Sequence, residues 1–415
     1  LTDAGKTYTY TITEDDTTLG GITKDAKTKT VKVKITDNGD GTLKTEIVEG
    51  SDTIAFTNNY AATGSITFEG AKALTGRSLT EDDVFTFTVK EDGFSLPVAT
   101  GSSDETGTIT FDTIEYNLGN IGTHTYLITE DDTSIAAVTK DNASKKVVVS
   151  VTDNGDGTLK AEIVEKESDD IAFTNTYTAT GSITFTGSKT INGRDMTAND
   201  KFTFTVKEGD KTVATGENKG TGTITFTTIS YTLDDLGEHS YTVTEDDTSI
   251  SGITKDAAAL TVIVNVTDNG DGTLKAEISQ SSPAIAFTNT YGAAGSITLQ
   301  GTKSLTGRAL NADDKFTFAV KEGTTVRATG TNDETGKITF SAIPYTIKDL
   351  GPHYYTVTED DTLLGGMTKD DAVLNVMVYV TDNGNGTLKA EIVKSESDDI
   401  TFSNTYEAKG DITFT

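Results

Sequence analysis

The tetrapeptide Gly-Ser-Ile-Thr opens at Gly64, Gly181 and Gly295, and Gly-Asp-Ile-Thr opens at Gly410. The interval, roughly 115 residues, is the size of a domain and too long for a solenoid repeat. Each copy must therefore own its core. The expected units are 64–180, 181–294 and 295–409. Residues 1–63 match the back half of such a unit, and 410–415 match its first strand. The chain is therefore expected to be a window on a longer array. Linkers such as Tyr291-Gly292-Ala293-Ala294-Gly295 are short, so neighbouring repeats should be held stiffly.

Within a repeat the apolar residues alternate rather than recur at helical spacing. Phe202, Phe204 and Val206 are one such set, and period two is the signature of a half-buried strand. In the second repeat the pattern predicts strands at 183–191, 202–206, 212–215, 223–228, 240–245, 260–267, 274–278 and 285–291. Asp268-Asn269-Gly270-Asp271-Gly272 has the composition of a hairpin turn. Thr36, Thr152 and Thr267 begin copies of Thr-Asp-Asn-Gly-Asp-Gly-Thr, and Asn385 replaces the second Asp in the last copy. Its acidic spacing does not fit an EF-hand loop. The predicted fold is all-β, a linear array of tandem Ig-like β-sandwich domains.

Composition narrows the function. The 415 residues hold no Cys and no Trp and carry a formal charge of −30. A disulfide and a thiolate metal site are thereby excluded. Nucleic acid is disfavoured as a partner, as are anionic membranes. The segment has no apolar run long enough for membrane insertion.

Three polar residues per repeat break the alternation. Lys189 shares its parity with Ile183, Phe185 and Ile191, Glu245 with Tyr241 and Val243, and Asn289 with Ile285, Phe287 and Tyr291. All three should point inward. The first repeat has Lys72, Glu130 and Asn175, and the third has Lys303, Glu359 and Asn404. Lys and Glu are 58, 56 and 56 residues apart, and Glu and Asn 45, 44 and 45. Lys207 and Glu277, on neighbouring strands, keep the outward parity expected of charge.

A buried lone ammonium costs several kcal/mol unless it is paired, neutralised or consumed. An apolar pocket lowers an amine pKa and raises a carboxyl pKa. The neutral amine is then a nucleophile, and the acid a hydrogen-bond partner for the amide oxygen and a proton shuttle. The carboxamide is the electrophile, and ammonia leaves. The product is a Lys–Asn isopeptide bond. The alternative is a satisfied buried ion pair capped by an amide.

Gly-x-Lys followed by Gly-Arg, then Tyr-x-Val-Thr-Glu, then Phe-Thr-Asn-Thr-Tyr resembles the streptococcal-type pilin isopeptide-linkage domain of Gram-positive backbone pilins and surface adhesins. The resemblance spans essentially the whole chain. It implies catalytic roles for Glu130, Glu245 and Glu359. It implies crosslinks Lys72–Asn175, Lys189–Asn289 and Lys303–Asn404. The half repeat keeps Glu14 and Asn58 without a lysine strand, an incomplete site.

The expected function is the stalk of a cell-surface adhesin or pilus-like fibre, extracellular and anchored through a segment not present here. No enzyme turnover is expected beyond single-use self-crosslinking, and no cofactor or metal. Expected partners are neighbouring repeats of the same chain, with other pilin subunits or the cell wall reached through sortase. Two alternatives are repeats that themselves bind a host ligand, and a calcium-rigidified adhesin array. Glu-Asp-Asp after each inward Glu should be a solvated loop. His124, His239 and His353 should be structural, and Arg77, Arg194 and Arg308 should anchor loops.

Overall fold

The computed structural model describes residues 1–360 and 365–413. The chain divides into two compact units. One comprises 1–180 with 268–274, and the other 181–267 with 275–415. Every regular element described is a strand or a single turn of 3-10 helix.

In the first unit the strands of the first repeat form a nine-stranded sheet. Their spatial order is Val138–Thr139, Ala172–Tyr177, Glu69–Thr75, Thr108–Phe111, Pro97–Ser103, Thr86–Glu91, Gly122–Glu130, Ser144–Asp153 and Leu159–Ile163. Thr63–Ile66 and Ile114–Asn117 make a separate two-stranded sheet. Phe87 lies four strands from Phe173 in this order, yet their ring centroids are 5.0 Å apart. Only a sheet rolled onto itself brings them together. The expected pair of sandwich layers is thus largely one curled sheet, continuous in its hydrogen bonding.

The alternation supplies the core. Along Thr86–Glu91, Phe87 and Val89 are buried while Thr86 and Lys90 face water. Phe68, Ile109, Ile128, Val149 and Phe173 join them. The second and third repeats have the same strand order. In the second unit, Phe318, Val320, Ile338, Val357, Val378 and Phe402 fill the equivalent places.

Glu69–Thr75 and Ala172–Tyr177 pair in parallel, as do Thr186–Asn192 with Ala286–Tyr291 and Gln300–Thr306 with Thr401–Tyr406. The other registered pairs described are antiparallel. The first long strand of each repeat thus lies beside its last, running the same way.

The strand expected over 183–191 is interrupted. Thr180–Ile183 belongs to the small sheet and Thr186–Asn192 to the large one. The chain changes sheets at Thr184–Phe185, and Phe185 stays buried on the shared parity. Hydrophobic alternation runs through such a change without a mark.

The half repeat contributes a three-stranded sheet of Thr7–Ile12, Lys29–Asp37 and Leu43–Ile47. Its strands are mostly open to solvent. At the other end, 410–413 form no strand, and Phe414 and Thr415 lie outside the described residues.

Candidate functional site: a buried amine, carboxylate and carboxamide

The parallel pair sets the distance between lysine and asparagine. Lys72 is in register with Phe173, and Leu74 with Asn175. Lys72 and Asn175 are therefore diagonal neighbours on one face, two residues out of step. A strand spacing of about 4.8 Å and a rise of about 3.3 Å per residue put their Cα atoms roughly 8 Å apart. The lysine and asparagine side chains, rising from the same face, together close that span. Glu130 is the last residue of Gly122–Glu130, in register with Phe87, and reaches the pair from across the roll.

One carboxylate holds both groups. Lys72 Nζ donates to Glu130 Oε2 at 2.7 Å, and Asn175 Nδ2 donates to Glu130 Oε1 at 2.5 Å. In the second repeat the distances are 2.8 Å for Lys189–Glu245 and 2.6 Å for Asn289–Glu245. In the third they are 2.7 Å for Lys303–Glu359 and 2.6 Å for Asn404–Glu359. All six Lys and Glu side chains are fully shielded from water, and the three Asn residues are 0 % exposed.

An aromatic ring floors each amine. Nζ lies 4.6 Å from the centroid of Phe85, 4.9 Å from Phe202 and 4.7 Å from Phe316. Burial pushes each lysine below its ordinary pKa, against the opposing pull of its glutamate.

The expectation that the acid meets the carboxamide oxygen does not hold. Instead that oxygen takes a backbone N–H. Asp141 N donates to Asn175 Oδ1 at 2.7 Å, Asp256 N to Asn289 Oδ1 at 2.7 Å, and Asp370 N to Asn404 Oδ1 at 2.8 Å. A backbone N–H can only donate, so the atom facing it must be oxygen. The carboxamide nitrogen is thereby turned to the glutamate. The N–H is itself held in place, because the Asp141 carboxylate accepts from Ala143 N at 2.8 Å and Thr174 N at 3.0 Å. Nothing in the alternation marks these aspartates. Their recurrence after Lys140, Lys255 and Lys369 is the one signal that could have drawn attention to them.

The model of the Spy0128-like isopeptide containing domain (FctA) matches residues 1–61, 68–178, 185–292 and 299–407. The chain belongs to this family. No curated relative matches the sequence. Among solved structures, the major pilin from Streptococcus pyogenes aligns at 19% identity over 55% of this chain and 98% of its own, with a TM-score of 0.20. The Corynebacterium diphtheriae major pilin SpaA aligns at 10% identity over 82% and 99%, with a TM-score of 0.21. The pilus adhesin SpaC from Lactobacillus rhamnosus GG aligns at 13% identity over 92% and 47%, with a TM-score of 0.18.

The first of the four FctA matches covers the half repeat. There Asn58 Nδ2 donates to Glu14 Oε1 at 2.6 Å, and Asp25 N donates to Asn58 Oδ1 at 2.9 Å. Carboxylate, carboxamide and N–H thus recur without a lysine, and Asn58 is exposed.

The arginines of this FctA chain find partners that sequence could not name. Arg77 makes a two-pronged contact with Asp83 at 2.6 and 2.8 Å. Arg194 does so with Asp200, and Arg308 with Asp314. His124 sits between Glu91 Oε1 and the Asn120 carbonyl, both at 2.7 Å. His239 and His353 repeat the arrangement. None of these histidines or arginines touches the amine–carboxylate–carboxamide cluster.

Proposed function

We propose that each complete repeat staples itself by an autocatalytic Lys–Asn isopeptide bond, and that the array is the stalk of a pilus or surface adhesin. The observation that carries this reading is one buried carboxylate gripping both an amine and a carboxamide nitrogen, in three repeats. Membership of the FctA family supports the stalk role and a location outside the cell.

The reaction needs no other reagent. Glu130 Oε2 accepts a proton from Lys72 Nζ, leaving a neutral amine. Its lone pair attacks Asn175 Cγ, and the forming oxyanion is stabilised by the Asp141 N–H. Glu130 Oε1 passes that proton to Nδ2, and Oε2 takes the second proton from the attacking nitrogen. The Cγ–Nδ2 bond breaks, and the departing ammonia carries that second proton away as ammonium. One C–N bond forms, one breaks, and the carboxylate is regenerated. Amides are poor electrophiles, so positioning must supply much of the acceleration. Fixed neighbours reach effective molarities of ~10⁵ M or more. Glu245 and Glu359 serve their own repeats in the same way. Each site acts once, so the chain is not a turnover enzyme.

The bond joins the first long strand to the last. Those strands run parallel, so tension entering one and leaving the other would shear them apart. A covalent bridge between them takes that tension and spares the strands in between. It closes a loop of roughly 100 residues, which by analogy with a disulfide stabilises by about 4–5 kcal/mol. Intact-mass measurement tests the proposal. The expected mass is that of the sequence less three ammonia molecules, and an unreduced mass rules the staple out.

A further inference from the structure

The Thr-Asp-Asn-Gly-Asp-Gly-Thr turn does more than reverse the chain. In the first unit Tyr60, at the end of the half repeat, donates from its hydroxyl to Asp153 Oδ1 at 2.8 Å. Gly157 N donates back to the same hydroxyl at 3.3 Å. In the second unit Tyr291, at the end of the second repeat, donates to Asp382 Oδ1 at 2.8 Å and accepts from Gly386 N at 3.1 Å. A third copy, inside the first unit, joins Tyr177 to Asp268 at 2.8 Å and Gly272 N at 3.1 Å.

The backbone continues each contact. Thr63 N donates to the Gly157 carbonyl at 3.3 Å, and Ala294 N to the Gly386 carbonyl at 3.2 Å. Two glycines meet face to face at each of these two joints. A Cβ on Gly157 (φ +87°) would lie 2.7 Å from the Gly21 Cα, and one on Gly386 (φ +80°) 2.8 Å from the Gly252 Cα. In the third copy the place of Gly21 and Gly252 is taken by Ala137, the one described non-glycine residue with positive φ, at 58°. An L-residue adopts that conformation at a cost.

Position within the motif discriminates between a turn and a socket. The second and sixth residues, Asp153 and Gly157 or Asp382 and Gly386, touch the tyrosine. The fifth, Asp156 or Asn385, bonds only the following threonine. The fifth is the position that changes between copies. The aspartate at the second position also closes its own turn, accepting from Gly155 N or Gly384 N at 2.9 Å, as Asp37 does from Gly39 N. The bond from the tyrosine is added to that turn bond on the same oxygen.

We propose that this turn is a docking socket whose partner is another copy of the same fold, recognised through its terminal tyrosine. The tyrosine lies two residues beyond the asparagine on the last strand, Asn289 then Tyr291. Arg194, itself held by Asp200, stacks 4.8 Å over the Tyr291 ring. The socket therefore grips the strand that would leave the stapled pair. It fixes one repeat against the next and stands whether or not the staple forms.

The test uses the full chain with Tyr60→Phe and Tyr291→Phe together, and separately Asp153→Ala with Asp382→Ala. Elastase cutting after Ala62 and Ala293, and exchange at the Gly157 and Gly386 amides, should quicken about tenfold. That is the factor expected from loss of one charge-assisted hydrogen bond. Intact mass should match the parent's apart from the substitutions. Asp156→Asn should behave as the parent. Unchanged cutting and exchange in both pairs would overturn the proposal. So would Asp153→Ala with Asp382→Ala loosening the joints while Tyr60→Phe with Tyr291→Phe leaves them unchanged, because loss of the turn's own bonds from Gly155 N and Gly384 N would then be the cause. An unreduced parent mass bears on the staple alone.

Discussion

Lys189 Nζ donates to Glu245 Oε2 at 2.8 Å, and neither side chain is reached by water. Removing the acid leaves a buried cation with no counter-charge. Breaking a pair of this kind by deleting one partner costs about 3–5 kcal/mol. Glu245→Ala should lose the second repeat's bond and keep the other two. Peptide mapping of the variant checks this, and survival of the Lys189–Asn289 link would show that the acid is dispensable.

The Asp256 N–H is aimed at the Asn289 carboxamide oxygen by its own carboxylate, which accepts from Ala258 N at 2.9 Å and Thr288 N at 2.8 Å. Asp256→Ala should loosen that aim without removing amine, acid or amide. An oxyanion donor is worth about 10²–10³ in rate, and a misaimed one should lose part of that. Bond formation in the second repeat of freshly synthesised chain, followed by mass against time, should slow while the first and third keep pace. Equal rates in all three would deny the N–H a role.

Arg194 grips both oxygens of Asp200, each at 2.7 Å, and Thr197 N adds a third bond at 2.7 Å. A lysine cannot form the fork. Arg194→Lys should destabilise the second repeat by about 1–3 kcal/mol, read as a shift in its denaturant midpoint. The Arg194 bonds, with those from Thr197, hold Asp200 down to about 2 from its ordinary 3.8. A depressed carboxyl stabilises the fold above its unfolded pKa. This contribution is complete above about pH 4 and disappears as pH falls through 2. Arg194→Lys should therefore flatten the acid limb of the stability curve.

His124 faces two groups that only accept, the Glu91 carboxylate and the Asn120 carbonyl. Both ring nitrogens must carry protons to satisfy them. Burial pulls the imidazolium pKa down, but the carbonyl and the carboxylate outweigh it, and the net shift is upward from 6.5. His239 and His353 are raised likewise. A raised histidine stabilises fully below its unfolded pKa, and that stabilisation is lost as pH rises through the folded value. Melting temperature should drop as pH climbs from about 6 through the folded pKa, and His124→Gln with His239→Gln and His353→Gln should remove the drop. A drop of the same size in the triple variant would place its origin elsewhere.

Sequence alone determined the all-β class, the repeat and the inward side of the strand for Lys189, Glu245 and Asn289. Period-two alternation is local, and a charge on the apolar parity is visible without knowing its neighbours. What it could not supply was adjacency. The pairing of Lys72 with Phe173 and of Leu74 with Asn175 joins segments about 100 residues apart, and no local rule sets that register. The break at Thr184–Phe185, the N–H on each carboxamide oxygen and the grip of Asp382 on Tyr291 come from the same source. Backbone donors carry no residue signature, and strand partners are chosen by how the sheet rolls. Tertiary structure therefore decided which atoms meet.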